Sequence, residues 1–383
     1  MKYRQTLATL AVTLISALFC GCERLELHPH ADTTPPPFVS LEEVAYLLAS
    51  VPLEAGHLDE VHDAATSSAG NGYDEEYRMQ DLFAAPGTGV GSAPTKADVY
   101  QHPLRDALRE AFLATKASGG DPSWLDSLAL SDVQIYWPYS ERWDGTTPPV
   151  ITYDPGDGAT QNEGFAVLSD GTIKKVMVDE SMTEERPVWV INRNSDAEYK
   201  SLELRRREDP SWGEGGGEIL VKSEKEEMRT LVLRSFKVNR QFDSWFAGAA
   251  EFFIKMGAVE NFVASTEAEL KLYDPAITDF MIVVRRNQVG KAVPFNAVLV
   301  SEWSPQFYSG ALMIVEDDGG TRTTWKCSAV VKYESKNYGF ELELPLYSRD
   351  DIVWRGQLTR NYIERNNGYP VALGDAEAVF ELI

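Results

Sequence analysis

The sequence predicts a mainly β protein, α+β overall: a small helical N-terminal region, then an antiparallel β-rich central region and a C-terminal β-sandwich. Three observations predict it. Apolar residues recur at helical spacing over 41–48 and 104–112. Beyond residue 130, short runs rich in β-branched and aromatic residues are separated by turn residues. No long helical pattern interrupts those runs, which favours antiparallel sheets over alternating βα units.

The first 21 residues have the parts of an export leader. Lys2 and Arg4 form a basic start, 7–19 is an apolar run, and the small residue Gly21 precedes Cys22. The run is short of the roughly 20 residues that span a bilayer. Gly21-Cys22 resembles the lipobox of bacterial lipoproteins, with Phe19 where that motif usually carries leucine. The resemblance implies cleavage before Cys22, lipid on its sulfur, and a mature protein held to the membrane through that lipid. Glu23 stands where an aspartate often retains such proteins at the inner membrane, so the expectation is the outer membrane, on its periplasmic or cell-surface face. In layout the chain is similar to lipoproteins of Gram-negative bacteria of the Bacteroidetes type.

Residues 22–38 read as a tether. The stretch is polar and ends in Pro35-Pro36-Pro37, which favours an extended polyproline conformation. His28 and His30 within it read as solvated.

The helical region covers 39–125. Ser40 with Glu43 three residues on has the form of a capping box, and Leu41, Val44, Ala45 and Leu48 share a face, so a helix is expected over 41–50. Pro103 opens a second, with Leu104, Ala107, Leu108, Ala111 and Phe112 as its stripe and Gly119-Gly120 as its stop.

The β-rich central domain is assigned to 126–266, with strands expected at 133–137, 150–153, 164–168, 172–178, 188–192, 219–222 and 230–238. Asp170-Gly171 is a hairpin signal. Residues 242–250 read as a short helix or a loop. The C-terminal β-sandwich is assigned to 267–383, with strands at 280–285, 297–301, 311–316, 323–332 and 338–347. Phe340, Leu342, Leu344 and Leu346 alternate there with Glu341 and Glu343. Asp318-Gly319-Gly320 marks another hairpin.

Motif-like stretches mostly exclude chemistry. His57 and His62 flank Asp59 and Glu60, but histidines five apart diverge by about 140° on a helix and do not share a zinc face. The glycine-rich stretch 87–92 lacks the lysine of a phosphate loop and is followed by Pro94, and 213–217 carries Glu214, which would repel phosphate. There is no Gly-x-Ser-x-Gly elbow. After cleavage before Cys22, Cys327 is the one remaining thiol apart from the lipidated one, within an expected strand.

Three acidic loops are the metal candidates: Asp154 and Asp157 with Asn162 and Glu163; Glu316-Asp317-Asp318; and Asp350-Asp351. Asp317, Asp318, Asp350 and Asp351 are the expected ligands, because calcium takes six to eight oxygens and turns at a sandwich edge supply them. Trp137, Tyr139 and Trp143 are the candidate ligand-binding aromatics, suited to stacking on sugar rings. The formal charge of −23 argues against nucleic acid as a partner. Two readings stay open. One is a non-enzymatic envelope lipoprotein presenting β-domain loops for binding, with calcium as the candidate cofactor; the other is an anchored hydrolase acting on glycan or peptide through carboxylates or a metal.

Overall fold

The computed structural model describes residues 38–84, 102–115, 123–156, 158–194, 199–208 and 228–383. The leader, Cys22, nearly all of the tether, the glycine-rich stretches 87–92 and 213–217, the stop at Gly119-Gly120, the strand expected at 219–222, and Asp157 lie outside them.

The chain is β-rich α+β, with antiparallel sheets and its longer helices near the N-terminus. Helix α1 (Leu41–Ala49) is capped by Ser40, whose Oγ accepts the Glu43 N–H at 3.4 Å. Helix α2 (Ala55–Gly70) begins where His57 Nδ1 accepts the Glu54 N–H at 3.0 Å, and it buries Leu58, Val61 and Ala65 on one face. Strand β1 (Glu76–Arg78) and helices α3 (Met79–Phe83), α4 (Pro103–Thr115) and α5 (Ser123–Ala129) follow. Next come β2 (Val133–Tyr136), β3 (Val150–Tyr153), β4 (Gln161–Val167), β5 (Ile173–Asp179), α6 (Glu180–Glu185) and β6 (Val188–Arg193).

These strands form one sheet in the order β1-β2-β6-β3-β4-β5. Its pairs are antiparallel except β3 with β6, which run parallel. Side chains alternate between its faces, as a strand requires. Ile135, Trp189 and Ile191 face the layer of α1 to α5, while Tyr136, Val188 and Val190 face Trp245 and Phe246.

Helix α7 (Leu202–Glu208) precedes a second β body. It comprises β7 (Arg229–Val238), β8 (Ala250–Ala258), β9 (Ala276–Val284), β10 (Val293–Trp303), β11 (Phe307–Glu316), β12 (Arg322–Tyr333), β13 (Lys336–Tyr347), β14 (Asp351–Thr359), α8 (Arg360–Arg365), β15 (Pro370–Leu373) and β16 (Ala376–Leu382). One sheet is ordered β10-β7-β16-β15, the other β13-β12-β11-β8-β9, with β14 also on β11. The two share one core, to which β7 and β16 give Leu233, Phe236 and Phe380, and β8 and β11 give Phe252, Ile254 and Leu312. This is a sandwich-like arrangement. Strands β7 and β8 precede residue 267 yet pair with β9, β10, β11 and β16 beyond it.

Residues 239–249, between β7 and β8, are mainly turns and loop rather than helix. They carry Trp245 and Phe246 onto the first sheet, with rings 3.8 Å apart and the Trp245 indole N–H donating to the Thr160 carbonyl at 3.0 Å. That loop delivers one side chain of the site.

Candidate metal centre

Strand register builds the site. Strands β8 and β11 are antiparallel neighbours with Glu316 opposite Phe252, so the start of β8 meets the end of β11. The Asp317 N–H donates to the Glu251 carbonyl at 2.9 Å and closes that end. On the other side of β11, Glu316 is opposite Asp351, the first residue of β14. Glu251, Glu316 and Asp351 therefore belong to three adjacent strand ends, and the loop before β8 adds Asp243.

Asp243, Glu251 and Glu316 each offer a carboxylate oxygen, and these oxygens lie within 4.8 Å of one another. Glu316 is 1 % exposed and Glu251 9 %. Glu316 Oε1 and Asp243 Oδ2 are buried with no hydrogen-bond donor. With Glu316 out of water, carboxylates this close repel one another, and a proton or a cation between them relieves that repulsion. Burial, then the neighbouring Asp243, drives Glu316 far above the usual carboxylate range. Burial likewise raises Asp243, to about 6. The donor set is all carboxylate oxygen, which suits a hard cation such as calcium, magnesium or manganese and fits soft metals poorly. The cluster can hold a metal ion.

The structure brings the two C-terminal acidic loops together around this trio. Asp317 Oδ1 accepts the Gly319 N–H at 3.0 Å. Asp350 accepts the Tyr347 N–H at 2.6 Å and the Asp318 N–H at 3.3 Å. Those oxygens hold the turns. Asp318 is raised by burial and by Asp351, and both add negative charge facing Glu316. Of the central trio, Glu316 is within a stretch singled out from sequence, whereas Asp243 and Glu251 carry no local signal.

The first acidic loop is committed elsewhere. Asp154 accepts the Gly156 N–H at 2.9 Å, and Glu163 pairs with Lys175 at 2.5 Å. The histidines also separate as their spacing requires: His57 caps α2, while the His62 ring packs 5.0 Å from Trp143. Buried Glu60 accepts the Leu104 N–H at 2.9 Å and so caps α4. Cys327 is half-buried, and burial pushes its thiol up to about 11, which disfavours the nucleophilic thiolate.

No protein-family model, curated protein or solved structure matches this chain. No helix among the described residues is long and apolar enough to cross a membrane.

A recess of about 160 Å³ is lined by the three aromatics Trp137, Tyr139 and Trp143 together with Arg142, Glu184 and Glu185. Trp137 is only 1 % exposed and packs edge-on against Trp189 and Trp143, so it forms the base rather than a platform. Tyr139 has φ +58°, a left-handed conformation uncommon outside glycine. The Arg142 guanidinium lies 4.2 Å from its ring centre.

Proposed function

We propose that this chain is a cation-binding envelope lipoprotein, anchored through lipid on Cys22, that presents the loops at one end of its β-sandwich to a partner. Calcium is the proposed cation. The observation that carries the reading is the trio Asp243, Glu251 and Glu316, centred on a buried Glu316 with an unpaired oxygen. Calcium's flexible coordination suits carboxylates of unequal length arriving from one loop and two strand ends, with Asp318 and Asp351 nearby. The burial of Glu316 favours binding over hydrolysis at this point, because a catalytic acid or base must reach its substrate.

The test is the melting temperature of the chain from Glu23 onward in EDTA and then in graded calcium. A ligand that binds only the native state stabilises it by about 2.7 kcal/mol at a hundredfold excess over Kd. A saturable rise of several degrees, lost in Asp243→Asn, supports the reading; no shift up to millimolar calcium removes it. Labelling with radioactive palmitate, abolished by Cys22→Ser, tests the anchor.

A second reading, an anchored hydrolase acting on glycan, draws on the recess, where Glu184 and Glu185 stand beside aromatic side chains. Turnover of an oligosaccharide panel that disappears in Glu184→Gln or Glu185→Gln would favour it over the binding reading.

A further inference from the structure

The metal centre and the aromatic recess are joined by one buried side chain. Arg286 follows β9, and its side chain is only 4 % exposed. One terminal nitrogen, Nη1, donates to Glu180 Oε1 at 2.7 Å, and the other, Nη2, donates to the Asp243 carbonyl at 3.1 Å. Its Nε is buried without an acceptor. Asp243 supplies a carboxylate to the trio, and Glu180 opens α6, whose far end lines the recess through Thr183, Glu184 and Glu185. The negative groups facing this guanidinium are Glu180, the Asp243 carboxylate and the buried Asp74.

We propose that cation occupancy of the Asp243–Glu251–Glu316 centre is transmitted through Arg286 to α6 and sets the rigidity of the recess. This rests on the cation-binding reading. Without a cation, Arg286 is attracted by the excess charge of the trio as well as by Glu180. A divalent ion reduces that charge and fixes residue 243, so Glu180 becomes the stronger remaining partner and α6 is held more firmly on the guanidinium. Helix α6 is suited to respond, since it has six residues and its N-terminal ties besides Glu180 both go to Asp179, which accepts the Met182 N–H at 3.1 Å and the Ser181 hydroxyl at 2.6 Å.

The experiment is hydrogen exchange read by mass spectrometry on the whole chain, with and without saturating calcium chloride, beside a calorimetric titration. The expected result is exchange slowed about fivefold or more across 180–187. In Glu180→Gln, whose side chain is 46 % exposed and whose change is isosteric, calcium still binds and still protects β8, its heat differing only by the lost coupling, while 180–187 no longer responds. Arg286→Lys, which keeps the charge but not both terminal donors, keeps only part of the wild-type response. Calcium binding that leaves 180–187 unmoved in the wild type, or moves it equally in Glu180→Gln, overturns the coupling alone. Absence of calcium heat in the wild type overturns the cation-binding reading and the coupling with it.

Discussion

Replacing Glu316 by glutamine tests the electrostatics of the centre directly. Glu316 is almost wholly buried beside Asp243 and Glu251, and its folded pKa is raised far above the value of 4.5 that it has when unfolded. In the metal-free native state burial and the neighbouring Asp243 favour the protonated form of Glu316 at neutral pH. The unfolded chain has lost that proton. The folded state therefore binds more protons, and metal-free stability falls as pH rises above 4.5, by about 1.4 kcal/mol per pH unit until the folded pKa is reached. At pH 7 the penalty is about 3 kcal/mol, whatever the folded pKa, provided it lies above 7. Glutamine has the same shape, donates to Asp243 through its amide, and does not titrate. Glu316→Gln in EDTA should be about 3 kcal/mol more stable than wild type at pH 7 and nearly equal to it at pH 4.5, by urea unfolding. Calcium should stabilise the wild type and leave the variant unmoved. A variant destabilised equally at both pH values would refute the reasoning, because Glu316 would then be an ionised group with a partner.

Glu75 offers a second proton-linked test. Its carboxylate accepts from the Ser140 N–H at 3.0 Å, the Ser140 hydroxyl at 2.9 Å and the Tyr139 N–H at 3.2 Å, while burial and Asp74 push it up to about 8. Native stability contributed here falls between pH 4.5 and 8, so Glu75→Gln should flatten the dependence of the urea midpoint over that range; parallel wild-type and variant curves would contradict this. Gly374, in the β15–β16 turn, has φ +65°, and a Cβ there would lie 2.1 Å from the Val353 carbonyl oxygen. Gly374→Ala should cost about 2 kcal/mol or more, and a loss under about 0.5 would show that the turn does not need that close approach. With its pKa pushed up to about 11, Cys327 should react with a disulfide reagent at pH 8 more than about tenfold slower in the native state than in urea. Equal rates would place the thiol in water.

Period-two patterning carried the parts of the fold that have one wet face. In β13, Leu342 and Leu344 are buried while Glu341 and Glu343 are exposed, so the alternation reports the true face. Gly171 has φ +82° between β4 and β5, the backbone that its hairpin signal demands. Strands buried on both faces show no alternation, and β2, β6 and β11 are legible instead from their β-branched and aromatic runs, whereas β8 is not. All nine residues of β8 are buried, so no alternation marks the strand, and Glu251 and Lys255 within it look misplaced until the neighbours around them are known. Helix α2 is rich in Ala, Ser and Gly, and only Leu58, Val61 and Ala65 betray its inner face. In β16 the buried positions do alternate, but two of them are Ala376 and Ala378, too small to stand out from a loop. The parallel pairing of β3 with β6 depends on a connection through β4, β5 and α6, which no local pattern encodes.

The site divides along the same line. Adjacent acids at 316–318 and 350–351 are visible as turns, and the pairing of Glu316 with Asp351 is what turns two loops into one surface. Neighbouring sequence cannot say which of those acids is a ligand and which a turn former, since aspartate in a turn accepts backbone N–H groups for conformational reasons. The distinction lies in donors and burial: Asp350 accepts two backbone N–H groups, whereas Glu316 Oε1, deeper in the protein, accepts none. An acid that has its backbone donors needs no ion, while one buried without them beside two others raises the free energy of the fold until a charge or a proton is supplied. That asymmetry places the centre of the site on Asp243, Glu251 and Glu316 and assigns the more conspicuous aspartates at 317 and 350 to the shaping of its rim.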